Sequence, residues 1–112
     1  MEAEYVIVSY QTASGMRPFD EWMEALRRRD RIAAETIDSR LARIRDTANF
    51  GDWRSVSQGV SELRFHLGPG YRLYYLLHGK KFVVVLAGGE KGDQRRDIAK
   101  AHAYANDFWR RI

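Results

Sequence analysis

The chain has no cysteine. Disulfides and thiolate-held zinc are therefore excluded. Its two prolines, Pro18 and Pro69, sit far apart, so no proline-rich linker divides the sequence. No apolar run approaches the ~20 residues that a membrane span needs. The first residues, MEAEYVIVSY, carry acids where an export signal carries bases, and a cytoplasmic location with no membrane partner is expected. The three histidines and scattered carboxylates show no metal-ligand spacing. No cofactor is expected, and there is no internal repeat.

What is present is an ordinary globular composition. Of 112 residues, 45% are hydrophobic and 30% charged, which fits one domain over 1–112 with a single core. The net charge of +4 is unevenly placed. Residues 1–53 carry 8 basic and 10 acidic side chains, whereas residues 54–112 carry 11 basic and 5 acidic. Fifteen of the 19 basic residues are arginine, whose planar fork suits phosphate and carboxylate. The second half is thus expected to face a polyanion or an acidic partner.

Tyr5–Tyr10 is rich in β-formers and reads as a first strand. Pro18 suits the first position of a helix. Phe19, Trp22, Met23 and Leu26 follow at helical spacing, and Arg27–Arg29 complement the dipole at its end. Asp30 is placed to cap a second helix with Ile37, Leu41, Ile44 and Ala48 on its buried face and Arg40, Arg43 and Arg45 outside. Gly51 is a natural left-handed stop. So short a link predicts an antiparallel helix hairpin.

Val60–Leu67, Tyr71–His78 and Lys81–Gly89 read as three further strands, with Gly68-Pro69-Gly70 as a tight turn. The apolar Phe82–Leu86 run belongs inside the sheet. Asp93 opens a last helix, with Ile98, Ala101, Ala105, Phe108 and Trp109 on one side. The expected fold is α+β in the order β-α-α-β-β-β-α: a mainly antiparallel four-stranded sheet, a helix hairpin on one face and a C-terminal helix.

Strand alternation puts Leu63, Phe65, Leu73 and Tyr75 under the hairpin and Glu62, Arg64, His66, Arg72, Tyr74 and His78 on the opposite face. Arg64 and Arg72 come close across the β-hairpin and repel unless an anion lies between them. Glu62 is placed to be that anion, which would make the set a surface ion-pair network. The alternative is a phosphate site, with Arg64, Arg72 and Lys91 supplying positive charge and Tyr74, His66 or Glu62 exchanging protons. His78 and His102 read as structural. Gly88-Gly89-Glu90-Lys91 lacks the phosphate-loop spacing, so its glycines read as a close approach at a strand end.

Pro18-Phe-Asp-Glu-Trp22, Val60-Ser-Glu-Leu-Arg64, Gly68-Pro-Gly-Tyr-Arg72-Leu-Tyr74 and Gly88-Gly-Glu-Lys91-Gly-Asp-Gln94 occur in this order along the chain. Together they resemble the HigB-like branch of the RelE/ParE toxin superfamily, the small addiction-module killer proteins, over almost the whole length. That resemblance implies the toxin of a type II toxin–antitoxin system, an mRNA interferase that enters the ribosome and cuts mRNA without a metal. It implies a helix-turn-helix antitoxin as partner, with operator DNA bound only through the complex. Arg72 matches the arginine that contacts the scissile phosphate in RelE-type toxins. Glu62 and Arg64 fall where RelE has two lysines, and Lys91 where it has an arginine. The resemblance makes Arg64, Arg72, Tyr74 and Lys91 the catalytic set, with Glu62, His66 and Gln94 supporting RNA binding. Asp97 stands where RelE carries a catalytic tyrosine, leaving the acid–base residue unassigned. ParE relatives share the fold and bind gyrase, and a non-toxic relative would retain only antitoxin binding.

Overall fold

The computed structural model describes residues 4–112; Glu2, one of the acids weighed against an export signal, lies outside the described residues. The chain is α+β, with strands β1 (Val6–Ser9), β2 (Trp53–Ser55), β3 (Val60–Phe65), β4 (Tyr71–His78) and β5 (Phe82–Glu90). Its helices are α1 (Pro18–Arg29), α2 (Arg31–Thr47) and α3 (Gln94–Arg111), the last entered through a 3-10 turn at Lys91–Asp93.

The sheet has five strands in the order β1-β5-β4-β3-β2, where four were expected. The added strand, β2, is three residues long and fully exposed at the sheet edge. A strand so short and unburied leaves no alternation in the sequence. Its existence depends on pairing antiparallel with β3, Arg54 opposite Glu62. β1 pairs parallel with β5, and the other neighbours are antiparallel. β5 therefore lies inside the sheet, as its apolar run predicts.

Local chemistry explains the hairpin. Pro18 occupies the start of α1, where a missing N–H costs nothing. Asp30 alone links the helices, and its side chain accepts the Ala33 N–H at 3.1 Å. Ala48, expected on the buried face of α2, is instead an exposed left-handed C-cap at φ 59°. The helix ends there, before Gly51, which is itself left-handed at φ 70°. Arg40, expected outside, is half-buried over the Phe65 ring and donates to the carbonyls of Phe50 and Arg64.

The core is not single. Leu26, Ile37, Ile44, Leu63, Phe65, Leu73 and Tyr75 pack between the hairpin and one sheet face. On the other face Tyr10, Val60, Tyr74, Leu76, Val84, Leu86, Ala101 and Ala105 form a second core beneath α3. The face expected to be open and charged is therefore covered. Consecutive β5 residues Leu86 and Ala87 both join this second core, because the β4–β5 register shifts between Tyr74 and Tyr75. α3 is tied to β1 by Tyr10, whose hydroxyl donates to Asp107 at 2.6 Å and whose ring stacks on Tyr104 at 5.1 Å.

Two adjacent glycines set how closely helices approach β5. A Cβ on Gly88 would lie 2.2 Å from the Trp22 ring, and one on Gly89 would lie 1.9 Å from Asp97 Oδ2. Gly88 admits α1 on one face and Gly89 admits α3 on the other. Side chains, rather than a second backbone, use the space. Among the described residues no helix is long and apolar enough to cross a membrane.

Candidate functional site

The sheet face beneath the start of α3 gathers most of the expected residues. Arg64 and Arg72 are direct partners across the β3–β4 hairpin. Glu62, two residues before Arg64, is completely buried. Its Oε1 lies 3.8 Å from Arg54 Nε, 3.9 Å from Arg64 Nε and 3.8 Å from Arg72 Nε. One carboxylate thus sits among three guanidinium groups. Gln94, the first residue of α3, donates its side-chain amide to both carboxylate oxygens at 3.0 and 2.9 Å. That bond fastens the start of α3 to the sheet.

This is not the exposed, weak network that chance surface pairing gives. A carboxylate withdrawn from water is tolerable only with compensating charge and hydrogen bonds. The compensation exceeds the need, since three cations surround one anion. Their donors are also incompletely used: Arg64 Nε and Arg72 Nε are buried and have no hydrogen-bond acceptor within reach. Distances of 3.8–3.9 Å are electrostatic contacts, too long for hydrogen bonds.

Exposure grades the three arginines. Arg72 is 2% exposed and donates to its neighbour's carbonyl, Tyr71 O, at 3.1 Å. Arg64 is 29% exposed and Arg54, from β2, 59%. The cluster runs from the interior to the sheet edge, and a ligand in solution meets Arg54 and Arg64 first. Arg54 was missed in the sequence, because its place depends on an edge strand that the sequence does not announce.

Tyr74 is wholly buried, and its hydroxyl has no hydrogen-bond partner. Burial, and after it the charges of Glu62 and Asp97, push its pKa well above the ordinary tyrosine range, with Arg72 opposing. It keeps its proton and is sealed from solvent, so the expected proton-exchange role is corrected to a core role. Asp97 is 5% exposed, packed against Gly89, and burial raises its pKa despite Arg96 and Lys100. Its nearest cation is Arg96, with Nε 3.7 Å from Oδ1.

Lys91 leaves β5 at the rim. Its N–H donates to Gly70 O at 2.9 Å, and a Cβ on Gly70 would lie 3.3 Å from Lys91 Cβ and 3.9 Å from an Arg72 nitrogen. The Gly68-Pro69-Gly70 turn thus holds Lys91 beside Arg72, with Lys91 exposed. Asp93, expected to cap α3, makes no cap bond and pairs instead with Arg96 at 3.3 Å.

His66 lies just past the end of β3, so the strand expected to reach Leu67 stops two residues early. Its side chain is 64% exposed and its Nε2 lies 2.5 Å from Asp52 Oδ2. The other histidines are structural, as expected. His78 packs with Phe82, Phe108 and Trp109 at the far end of the sheet. His102 Nε2 meets the carbonyl of Val56 at 2.9 Å and fixes the β2–β3 turn. Among the described residues no three His, Asp or Glu side chains form a metal-holding group.

Chemically, the arrangement offers concentrated, incompletely hydrogen-bonded positive charge at a sheet edge. Such a site suits an oxyanion, and fixed guanidinium forks suit a phosphoryl oxygen above all. No protein-family model matches the chain. The chain is 37% identical over 90 residues to an uncharacterized protein of Haemophilus influenzae, an alignment covering 80% of this chain and 88% of that protein.

Proposed function

We propose that this chain, which belongs to the same family as the uncharacterized Haemophilus influenzae protein, is the toxin of a type II toxin–antitoxin system and cuts mRNA on the ribosome. The observation that carries the reading is the convergence of Arg54, Arg64 and Arg72 on the single buried carboxylate of Glu62. Its surplus charge lies where the motifs resembling HigB-like toxins fall. In this reading the α+β fold is of the RelE/ParE type, β2 being a short edge addition. Arg64 and Arg54 grip the scissile phosphate, Lys91 holds a neighbouring one, and Arg72 raises the local potential from within. Negative charge gathers on the phosphoryl oxygens in the transition state, and preorganised guanidinium groups stabilise it without reorganisation. Glu62 and Gln94 hold the arginines and α3 in place. The protein partners are the ribosome with its mRNA and a helix-turn-helix antitoxin, through which operator DNA is bound.

The test is induced expression in growing cells, with mRNA ends mapped by primer extension. The wild-type chain is expected to arrest growth and to produce new mRNA 5′ ends. Arg64→Ala and Lys91→Ala, both at accessible positions, are expected to remove both effects while the protein stays folded. Arg72→Ala is a poorer probe, since removing a buried charge perturbs the fold as well as the site. Folded, well-expressed Arg64→Ala and Lys91→Ala proteins with full toxicity would sink the assignment.

The burial of Tyr74 and Arg72 favours one second reading, a toxin that binds a protein target such as gyrase through its outer surface. Expression would then give DNA damage and intact transcripts. No growth effect at all would mark a relative that retains only antitoxin binding.

A further inference from the structure

The charged cluster supplies positive charge and no accessible group to move a proton. Tyr74 is sealed, Glu62 is enclosed by its partners, and Asp97 is buried on the sheet-facing side of α3 against Gly89. Just outside the cluster stands a pair with the complementary property. Asp52, the residue before β2, accepts the Arg64 N–H on its carbonyl at 3.0 Å, so its backbone is locked to the same strand that carries the cluster. Its side chain meets His66 Nε2 at 2.5 Å. His66 follows Arg64 by two residues, a spacing of roughly 6.5 Å along extended chain. Long side chains on backbone positions that close together can serve adjoining atoms of one nucleotide linkage.

We infer that His66, oriented by Asp52, is the proton-transfer residue of the ribonuclease reaction, acting on the 2′-hydroxyl beside the phosphate held by Arg64 and Arg54. The inference rests on the ribonuclease reading above. The carboxylate fixes the tautomer: Asp52 can only accept, so Nε2 carries the hydrogen and Nδ1 presents a lone pair. The charged groups around the pair are Arg64 of β3 and Arg40 of α2. The His66 contact first, and then Arg64, lowers the pKa of Asp52, which stays ionised and able to orient the ring at mildly acid pH.

The reaction balances without a co-reactant. Neutral His66 takes the 2′-hydroxyl proton at Nδ1, and the 2′-oxygen forms its bond to phosphorus. The bond from phosphorus to the 5′-oxygen breaks, and that oxygen takes the proton back from the imidazolium. The products are a 2′,3′-cyclic phosphate and a free 5′-hydroxyl. Asp52 is a positioning residue, and its carboxylate stabilises the imidazolium between the two transfers.

The test is single-turnover cleavage of mRNA on programmed ribosomes by the whole protein. His66→Gln is expected to lose about 10²–10⁴-fold in rate. Asp52→Asn is expected to slow cleavage with mRNA binding unchanged, and Asp52→Glu, which keeps the carboxylate, to restore part of the rate. Rescue by the conservative variant is a response that a merely structural contact to the ring would not give. Both positions are exposed, and a thermal melt checks that each variant is folded. If His66→Gln cleaves at the wild-type rate while Arg64→Ala is inactive, the His66 assignment falls and the ribonuclease reading stands. A wild-type cleavage rate in Asp52→Asn overturns the role of Asp52. A wild-type protein that cleaves nothing overturns the inference and the ribonuclease reading together.

Discussion

The two faces of the sheet use the same strands for opposite ends. Beneath the α1–α2 hairpin, Leu63, Phe65, Leu73 and Tyr75 meet Leu26, Ile37 and Ile44, and the layer is apolar throughout. Beneath α3 the layer is divided. Val60, Leu76, Val84 and Leu86 pack apolar toward the middle, while Glu62, Arg72 and Arg64 form a charged end near the first turn of the helix. The apolar face has every reason to be tightly packed and none to be reactive. The divided face spends stability on burying charge, and such expenditure is where function is expected.

The largest effect should come from breaking the charged end. Glu62→Ala leaves three guanidinium groups facing one another, and removing one partner of a buried ionic set costs about 3–5 kcal/mol. Chemical denaturation should show that loss, and high salt should recover part of it by screening. Leu73→Ala, on the apolar face, should cost about 2–5 kcal/mol through lost burial and a residual cavity, with no recovery in salt. The contrast in salt response distinguishes the layers better than the size of either loss.

Gly89→Ala should disturb only the α3 layer, since its Cβ would collide with Asp97. The expected result is weakened amide-exchange protection in α3 with the hairpin unchanged. Asp97→Asn should do the reverse. Burial raises the folded-state pKa of Asp97 above its unfolded value, so the native state binds more protons across the window between them. That carboxyl therefore costs stability as pH rises through the window, and the cost remains above it. The asparagine variant should be more stable than wild type at neutral pH, with the advantage shrinking as pH falls through that window and gone below about pH 4, the ordinary carboxyl range. An advantage independent of pH would mean that shape, not charge, dominates at Asp97.

The sequence made the apolar layer legible and left the divided one half-read. Helical spacing from Phe19 to Leu26, the cap at Asp30 and alternation in β3 and β4 are local signals, and each one's structural counterpart is local. The pairing of Arg64 with Arg72 around Glu62 also followed from alternation and a tight turn. What alternation cannot reveal is what covers a face. The polar positions Glu62, Arg72 and Tyr74 read as exposed, and α3 buries them. Arg54 and Asp52 escaped because a three-residue edge strand has too few residues to show a period. The contact of His66 with Asp52 spans fourteen residues and a strand pairing that had no sequence signal. A signal did exist for α3: Gly88-Gly89, followed closely by a helix with small residues at Ala101 and Ala105, indicates a helix lying directly on a strand.

The parallel pairing of β1 with β5 has a consequence for how the chain is made. Val6 waits for Phe82, and Tyr10 waits for Asp107. The β3–β4–β5 meander can form from neighbouring segments as they emerge, but β1 finds its partners only after β5 and α3 have been made. Until then the arginine cluster has no lid, and the apolar floor that α3 will cover is wet. A nascent or truncated chain would accordingly be both sticky and strongly basic while still near the ribosome. The eighteen-residue helix α3 closes the second core and covers the charged cluster in one step.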